Sequence, residues 1–216
     1  MLGSVITWIA EHPRALEQAA GQHFTLSITA LLAAIALALP LAIALARWTA
    51  GANAVIAVVN VLRTIPSLAL LVIMLPFLGT GFLPSVVALT LYGLPAILMN
   101  AYTGLREVDS DVVEAARGQG MTDGQIMRRI ELPLALPVIF AGIRTAAVQI
   151  VSAATLAAFI GGGGLGELIT AGMGTLDVPQ LLVGGLTVAL FAVATESMFG
   201  LLEWGTRRSV TASAAA

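Results

Sequence analysis

The chain has 216 residues, 58% hydrophobic and only 10% charged, with a formal net charge of −2 and a mean hydropathy of +0.97. A soluble domain carries about 25% charged residues, so the composition marks an integral membrane protein, and no nucleic-acid partner is expected. The absence of cysteine excludes disulfides, thiolate chemistry and cysteine metal sites.

The N-terminus lacks the basic start of a signal peptide, and its apolar patch Val5 to Ala10 is broken by Glu11, His12 and Pro13. Residues 11–22, with Glu11, Arg14, Glu17 and Gln18, read as a short helix on the outer surface. A crossing needs about 20 predominantly apolar residues, and five windows qualify: 24–46, 54–78, 83–105, 134–160 and 180–204. Residues 1–216 therefore read as one all-α transmembrane domain of five spans.

Span one carries Pro40, where a membrane helix tolerates a kink if neighbours satisfy the freed carbonyl. Residues 49–53 turn the chain, and span two opens with Asn60, Arg63, Thr64, Pro66 and Ser67 inside a predicted crossing. Polar groups are costly there, and two readings stand: Arg63 snorkels to the headgroups, or Thr64, Pro66 and Ser67 interrupt the helix where it lines a polar pathway. After the small outer turn Gly79-Thr80-Gly81, span three carries Tyr92, Pro95 and Asn100. Pro95 predicts a second kink, and the two polar side chains read as interhelical hydrogen-bonding groups or as ligand contacts.

Residues 106–133 form the one long polar segment and hold half of the chain's twelve carboxylates. Ser110 is expected to cap a first helix, with Gly118 or Gly120 supplying its left-handed end. Thr122 and Gln125 have the spacing of a capping box for a second helix, closed by Pro133. The outcome is a hairpin that projects its surface toward a soluble partner. With this loop inside, Arg47, Arg106, Arg117, Arg128, Arg129, Arg207 and Arg208 are inside and Arg14 is outside, which predicts an N-out, C-in topology. Trp48 and Trp204, at the inner ends of spans one and five, agree with that orientation.

Span four carries Arg144, Gln149, Ser152, Thr155 and Phe159, then meets Gly161-Gly162-Gly163-Gly164-Leu165-Gly166. This contains a literal G-x-G-x-x-G, but it follows a spanning helix and not a strand of a βαβ unit, so it reads as an outer turn without nucleotide. In span five Glu196 is a carboxylate within a crossing, either paired with Arg63 or Arg144 or part of a transport pathway. His12 and His23 lack the carboxylate neighbours of a metal site, and no phosphate-binding loop or catalytic constellation occurs, so no cofactor is expected. The residues describe a pathway-forming subunit driven by a separate soluble engine.

Glu114-Ala115-Ala116, three residues, Gly120, nine residues, Ile130, one residue and Leu132-Pro133 together resemble the EAA signature of permease subunits of binding-protein-dependent ABC importers. The stretches from Arg63 to Leu71 and from Thr155 to Gly166 are similar to the osmoprotectant branch, which imports glycine betaine, carnitine and choline; methionine permeases share related stretches. The resemblance implies a type I importer fold in a bacterial or archaeal cell membrane. It also implies two cytoplasmic ATPases, a second permease subunit, identical or similar, and an extracytoplasmic binding protein. On this basis Glu114, Ala115, Ala116, Gly120, Ile130, Leu132 and Pro133 are candidate ATPase-coupling residues, and Thr64, Pro66, Ser67, Thr155, Phe159 and Glu196 are candidates for the pathway or its gate. The twelve aromatics form no visible cluster, so selectivity is expected in the binding protein. The other readings are a permease of the same fold for methionine or another small amino acid, and a self-contained channel or secondary transporter using Glu196, Arg63 and Arg144 as a charge relay.

Overall fold

The computed structural model describes residues 2–214, with side chains described from residue 3 to 204 apart from Thr49 and Ala50. The side chains of Arg207 and Arg208 lie outside the described residues. A short helix α1 (Leu2–Glu11) meets α2 (Pro13–Arg47), which runs unbroken for 35 residues. The surface helix expected over residues 11–22 is thus the first three turns of α2. Pro13 starts the helix, where its missing N–H costs nothing, and no breaker separates Gln22 from Phe24. At 1.5 Å per residue α2 is roughly 50 Å long, well beyond a hydrocarbon core of about 30 Å. Pro40 does not end it.

The expected second crossing is a broken one. Helices α3 (Thr49–Leu62) and α4 (Ser67–Leu78) meet at 99° around Arg63 to Pro66. Pro66, at φ −59° and ψ 141°, holds extended backbone where a helix would continue. Helix α5 (Phe82–Arg106) follows, then α6 (Ser110–Gly118), α7 (Asp123–Ile126), a π-helical stretch Met127–Glu131, and α8 (Leu132–Ala153). A 3₁₀ segment Ala154–Ile160, the glycine turn, α9 (Leu165–Thr175) and α10 (Val178–Ala214) complete the chain. Helix α9 had no counterpart in the sequence expectation. Among the described residues four helices are long and apolar enough to cross a membrane, or five with the bent pair counted as one span.

The bundle is organised around α5, which packs on α2 and α8; α8 in turn packs on α10. In the apolar window of α5, 67% of residues are buried, against 11% for α10, so α5 is the core and α10 the rim. Small residues permit this closeness. Ala30, Ala34, Ala38 and Ala42 form a fully buried stripe one turn apart along α2. Between α5 and α8, a Cβ on Gly93 would stand 2.5 Å from Ile150 Cδ1, and one on Gly142 2.6 Å from Asn100 Cβ. A larger residue at either position would push the helices apart.

The bundle has two distinct ends. At one, the Gly81 N–H donates to the Ile160 carbonyl at 2.7 Å, and the Gly164 N–H to Gln22 Oε1 at 3.1 Å. The glycine turn is therefore packed, not open: Gly161, Gly163 and Gly164 take φ of +73°, +80° and +89°. A Cβ on Gly166 would lie 2.0 Å from the Thr155 carbonyl oxygen. Buried His23 bonds the Val151 carbonyl through Nε2 at 3.0 Å, tying α2 to α8 beneath this turn. The other end carries the polar hairpin.

Candidate functional site

In the hairpin, α6 is capped by Asp109, whose Oδ1 accepts from the Asp111 N–H at 2.9 Å. Ser110, the expected cap, is the first helical residue instead; the shorter serine yields to an aspartate one position earlier that also complements the helix dipole. The helix ends in a Schellman motif. The Gly120 N–H donates to the Arg117 carbonyl at 2.9 Å and the Met121 N–H to the Ala116 carbonyl at 3.1 Å, with Gly120 at φ +82°. The capping box is present: the Gln125 N–H donates to Thr122 Oγ1 at 3.4 Å and the Thr122 N–H to Gln125 Oε1 at 2.8 Å.

Pro133 does not close the second helix. The chain passes from α7 through the π stretch directly into α8, so this arm of the hairpin is continuous with a crossing from Asp123 to Ile160. Proline lacks an N–H and crowds the carbonyl four residues back; the wider π turn just before it accommodates both demands. The second arm and α8 are therefore one continuous helical segment.

The signature residues divide by exposure. Glu114, Ala115 and Gly120 face outward and Ala116 is buried, while Ile130, Leu132 and Pro133 are half-buried at the root of the second arm. Glu131, between two of them, is 9% exposed and accepts from Arg47 Nη2 at 2.6 Å. Arg47 also donates to the Asp123 carbonyl at 3.3 Å, so the last residue of α2 holds both ends of the second arm. Arg117 and Asp123 form an exposed pair at 3.2 Å between the arms. Arg47 and Glu131 lie 84 positions apart, and neither had been singled out as a site residue.

A second polar feature is a cavity open to the side of the bundle, where Arg63, Thr145 and Gln149 are exposed. The cavity, of about 220 Å³, is lined by Arg63 at the α3–α4 break, Tyr92, Asn100, Thr145 and Gln149, among others. The interruption was visible in the sequence; that these side chains, from three elements, share one cavity was not. None of the six pathway candidates lines it. Thr64 is exposed and its hydroxyl donates to the Val61 carbonyl at 2.7 Å; Pro66 is the cap of α4 and Ser67 its half-buried first residue. Thr155 is half-buried and donates to the Ser152 carbonyl at 2.7 Å, and Phe159 is exposed. Glu196 pairs with Arg144, whose Nε donates to Glu196 Oε1 at 2.9 Å while Nη1 donates to Glu203 Oε2 at 2.9 Å. Arg144 thus bridges two carboxylates of α10, one of them, Glu203, unremarked in the sequence reading. Among the described residues no group of histidine, aspartate and glutamate is arranged to hold a metal ion.

The family model of the binding-protein-dependent transport system inner membrane component matches residues 30–208. The chain belongs to that family. It is 42% identical over 204 residues to the carnitine transport permease protein OpuCB of Listeria monocytogenes, covering 94% of this chain and 93% of that one. It is also 42% identical over 183 residues to the choline transport system permease protein OpuBB of Bacillus subtilis (strain 168), covering 84% of each. Among solved structures, an inward facing conformation of the MetNI methionine ABC transporter matches with a TM-score of 0.81 at 23% identity, over 90% of this chain and 98% of that chain. That likeness shows the type I ABC importer permease fold.

This family member is a multi-pass membrane protein and a permease subunit, not an enzyme; ATP hydrolysis belongs to a separate subunit. Membership implies ATPase and substrate-binding protein partners and a second permease subunit.

Proposed function

We propose that the chain forms the membrane pathway of an ATP-driven importer for quaternary-amine osmoprotectants such as glycine betaine, carnitine or choline, delivered by an extracytoplasmic binding protein. The reading rests on 42% identity across 94% of the chain to a permease named for carnitine. The runner-up, a permease for methionine or another small amino acid, draws on a likeness at 23% identity that concerns the fold.

In this reading two ATPases seat on the hairpins of two permease subunits, through Glu114, Ala115, Ala116 and Gly120, with Ile130, Leu132 and Pro133 shaping the root. The gathering of Arg47, Arg106, Arg117 and Glu131 around one cavity of about 240 Å³ at the hairpin end supports a cytoplasmic placement of that end. The glycine turn then faces outward with the N-terminus, and the C-terminus lies inside. ATP binding closes the ATPase pair, and the continuous helical segment from α7 into α8 carries that motion into the pathway. A charge relay through Glu196 and Arg144 is disfavoured because Arg144 is already held by two carboxylates.

The test is uptake of labelled glycine betaine, carnitine, choline and methionine into vesicles holding the chain with its ATPase and binding protein. ATP-dependent uptake of a quaternary amine, lost in Gly120→Asp together with ATPase association, is the expected result. Uptake of methionine alone moves the chain to the sister branch. Transport that persists without ATP overturns the importer reading.

A further inference from the structure

Arg47 holds Glu131, and Arg144 holds Glu196 and Glu203, whereas Arg106, at the hairpin end, is in no ion pair among the described residues. Arg63 also holds no carboxylate among the described residues, although it sits between two apolar helices bent by 99°. Arg63 is exposed on the side of the bundle, where it lines the polar cavity, the kind of surrounding a guanidinium at a crossing requires.

The lining of that cavity has a definite chemistry. It contains no acidic residue. Asn100 donates one of its two amide N–H groups to the Ala96 carbonyl at 2.8 Å, and the Thr145 hydroxyl donates to the Ala141 carbonyl at 2.9 Å. Among the described residues the side chains of Arg63, Tyr92 and Gln149 make no hydrogen bond, so their donors are uncommitted. Free donors, a fixed positive charge and no carboxylate suit an anionic oxygen group. Tyr92 adds an aromatic face, the one surface here that attracts a cation lacking N–H groups. At roughly 30 Å³ per water, the 220 Å³ volume has room for a solute the size of a small amino-acid betaine.

We propose that this cavity is a transit subsite for zwitterionic quaternary amines, in which Arg63 and Gln149 receive the carboxylate and Tyr92 faces the trimethylammonium group. The proposal rests on the quaternary-amine reading above and adds a specificity to it: Arg63 distinguishes substrates with a carboxylate from choline, which has none. One arginine with neutral donors makes a weak, open site, as passage requires.

The test uses the complete transporter in liposomes, with ATP-driven uptake of glycine betaine, carnitine and choline measured for wild type, Arg63→Gln, Arg63→Lys and Gln149→Leu. Arg63→Gln is expected to lower uptake of glycine betaine and carnitine about tenfold or more, the loss typical of a charge-assisted contact, with choline uptake and ATPase association unchanged. Arg63→Lys restores most of the loss. Equal loss for all three substrates, or no loss, overturns the subsite and returns Arg63 to a structural role. If Arg63→Gln does not assemble, Gln149→Leu decides: a raised KM confined to the carboxylate substrates supports the subsite, and an unchanged KM overturns it. A wild type that carries glycine betaine but not choline is judged on Arg63→Lys, whose failure to recover uptake overturns the proposal. A wild type that carries only choline overturns the subsite alone, whereas one that carries no quaternary amine overturns the functional reading and the subsite with it.

Discussion

Replacing Gly120 by alanine should loosen the hairpin through its backbone alone. Gly120 sits at φ +82°, and a Cβ built there meets nothing within 4 Å, so the substitution introduces no clash. What it introduces is left-handed strain, roughly 1–2 kcal/mol for a residue with a Cβ. Relief of that strain releases the Schellman bonds from Gly120 and Met121 to the Arg117 and Ala116 carbonyls. A net cost of about 1 kcal/mol raises the population of the opened turn by about fivefold. Amide exchange at Gly120 and Met121 should accelerate by a similar factor, and ATPase affinity should fall by less, in proportion to the lost fraction of formed hairpin. Gly118→Ala is the control: Gly118 is helical with open space around it, so alanine there is expected to stabilise the helix by about 0.5–1 kcal/mol. Asparagine at position 120 should fall between wild type and alanine, because it tolerates the left-handed region. Unchanged exchange and affinity in Gly120→Ala, or the same response in Gly118→Ala, would refute the reasoning.

The converse holds at Leu176, a non-glycine residue at φ +57° that is 86% exposed; Leu176→Gly should leave the melting temperature unchanged or raise it, since little packing is lost. Gly166→Ala should prevent assembly or sharply lower the melting temperature in detergent, because its Cβ would lie 2.0 Å from a backbone oxygen, whereas Gly174→Ala, helical and in open space, should leave the melting temperature unchanged or raise it slightly. Arg47→Gln should cost about 1–3 kcal/mol by stranding Glu131, and a double-mutant cycle with Glu131→Gln should recover most of that loss. Glu196→Gln should keep ATP-driven uptake within about twofold of wild type, because Arg144 retains Glu203 as its partner; abolished uptake with assembly intact would instead favour a charge relay.

Legibility in the sequence followed the range of the interaction. The capping box of Thr122 and Gln125 spans three positions and was readable because both partners lie within one turn. The left-handed end of α6 was narrowed to two glycines, and only the backbone distinguishes them: Gly120 has positive φ and Gly118 does not. The break near Pro66 was visible as misplaced polarity, but its 99° angle depends on how α4 packs against α5. Proline normally ends a helix, but at Pro133 the preceding π turn lets the helix continue, which the local pattern does not show.

By itself the sequence determined that this is a membrane protein, that one polar hairpin projects from it, and which short-range caps and glycines shape that hairpin. These properties depend on apolar run length and on hydrogen bonds between near neighbours, which composition and spacing encode directly. Only the tertiary structure decided which charges neutralise one another, that Arg47 anchors the hairpin through Glu131, and that Arg63, Tyr92, Asn100, Thr145 and Gln149 share a cavity. Those pairings join residues dozens of positions apart, and which arginine meets which carboxylate is set by helix crossings between small residues rather than by any local pattern.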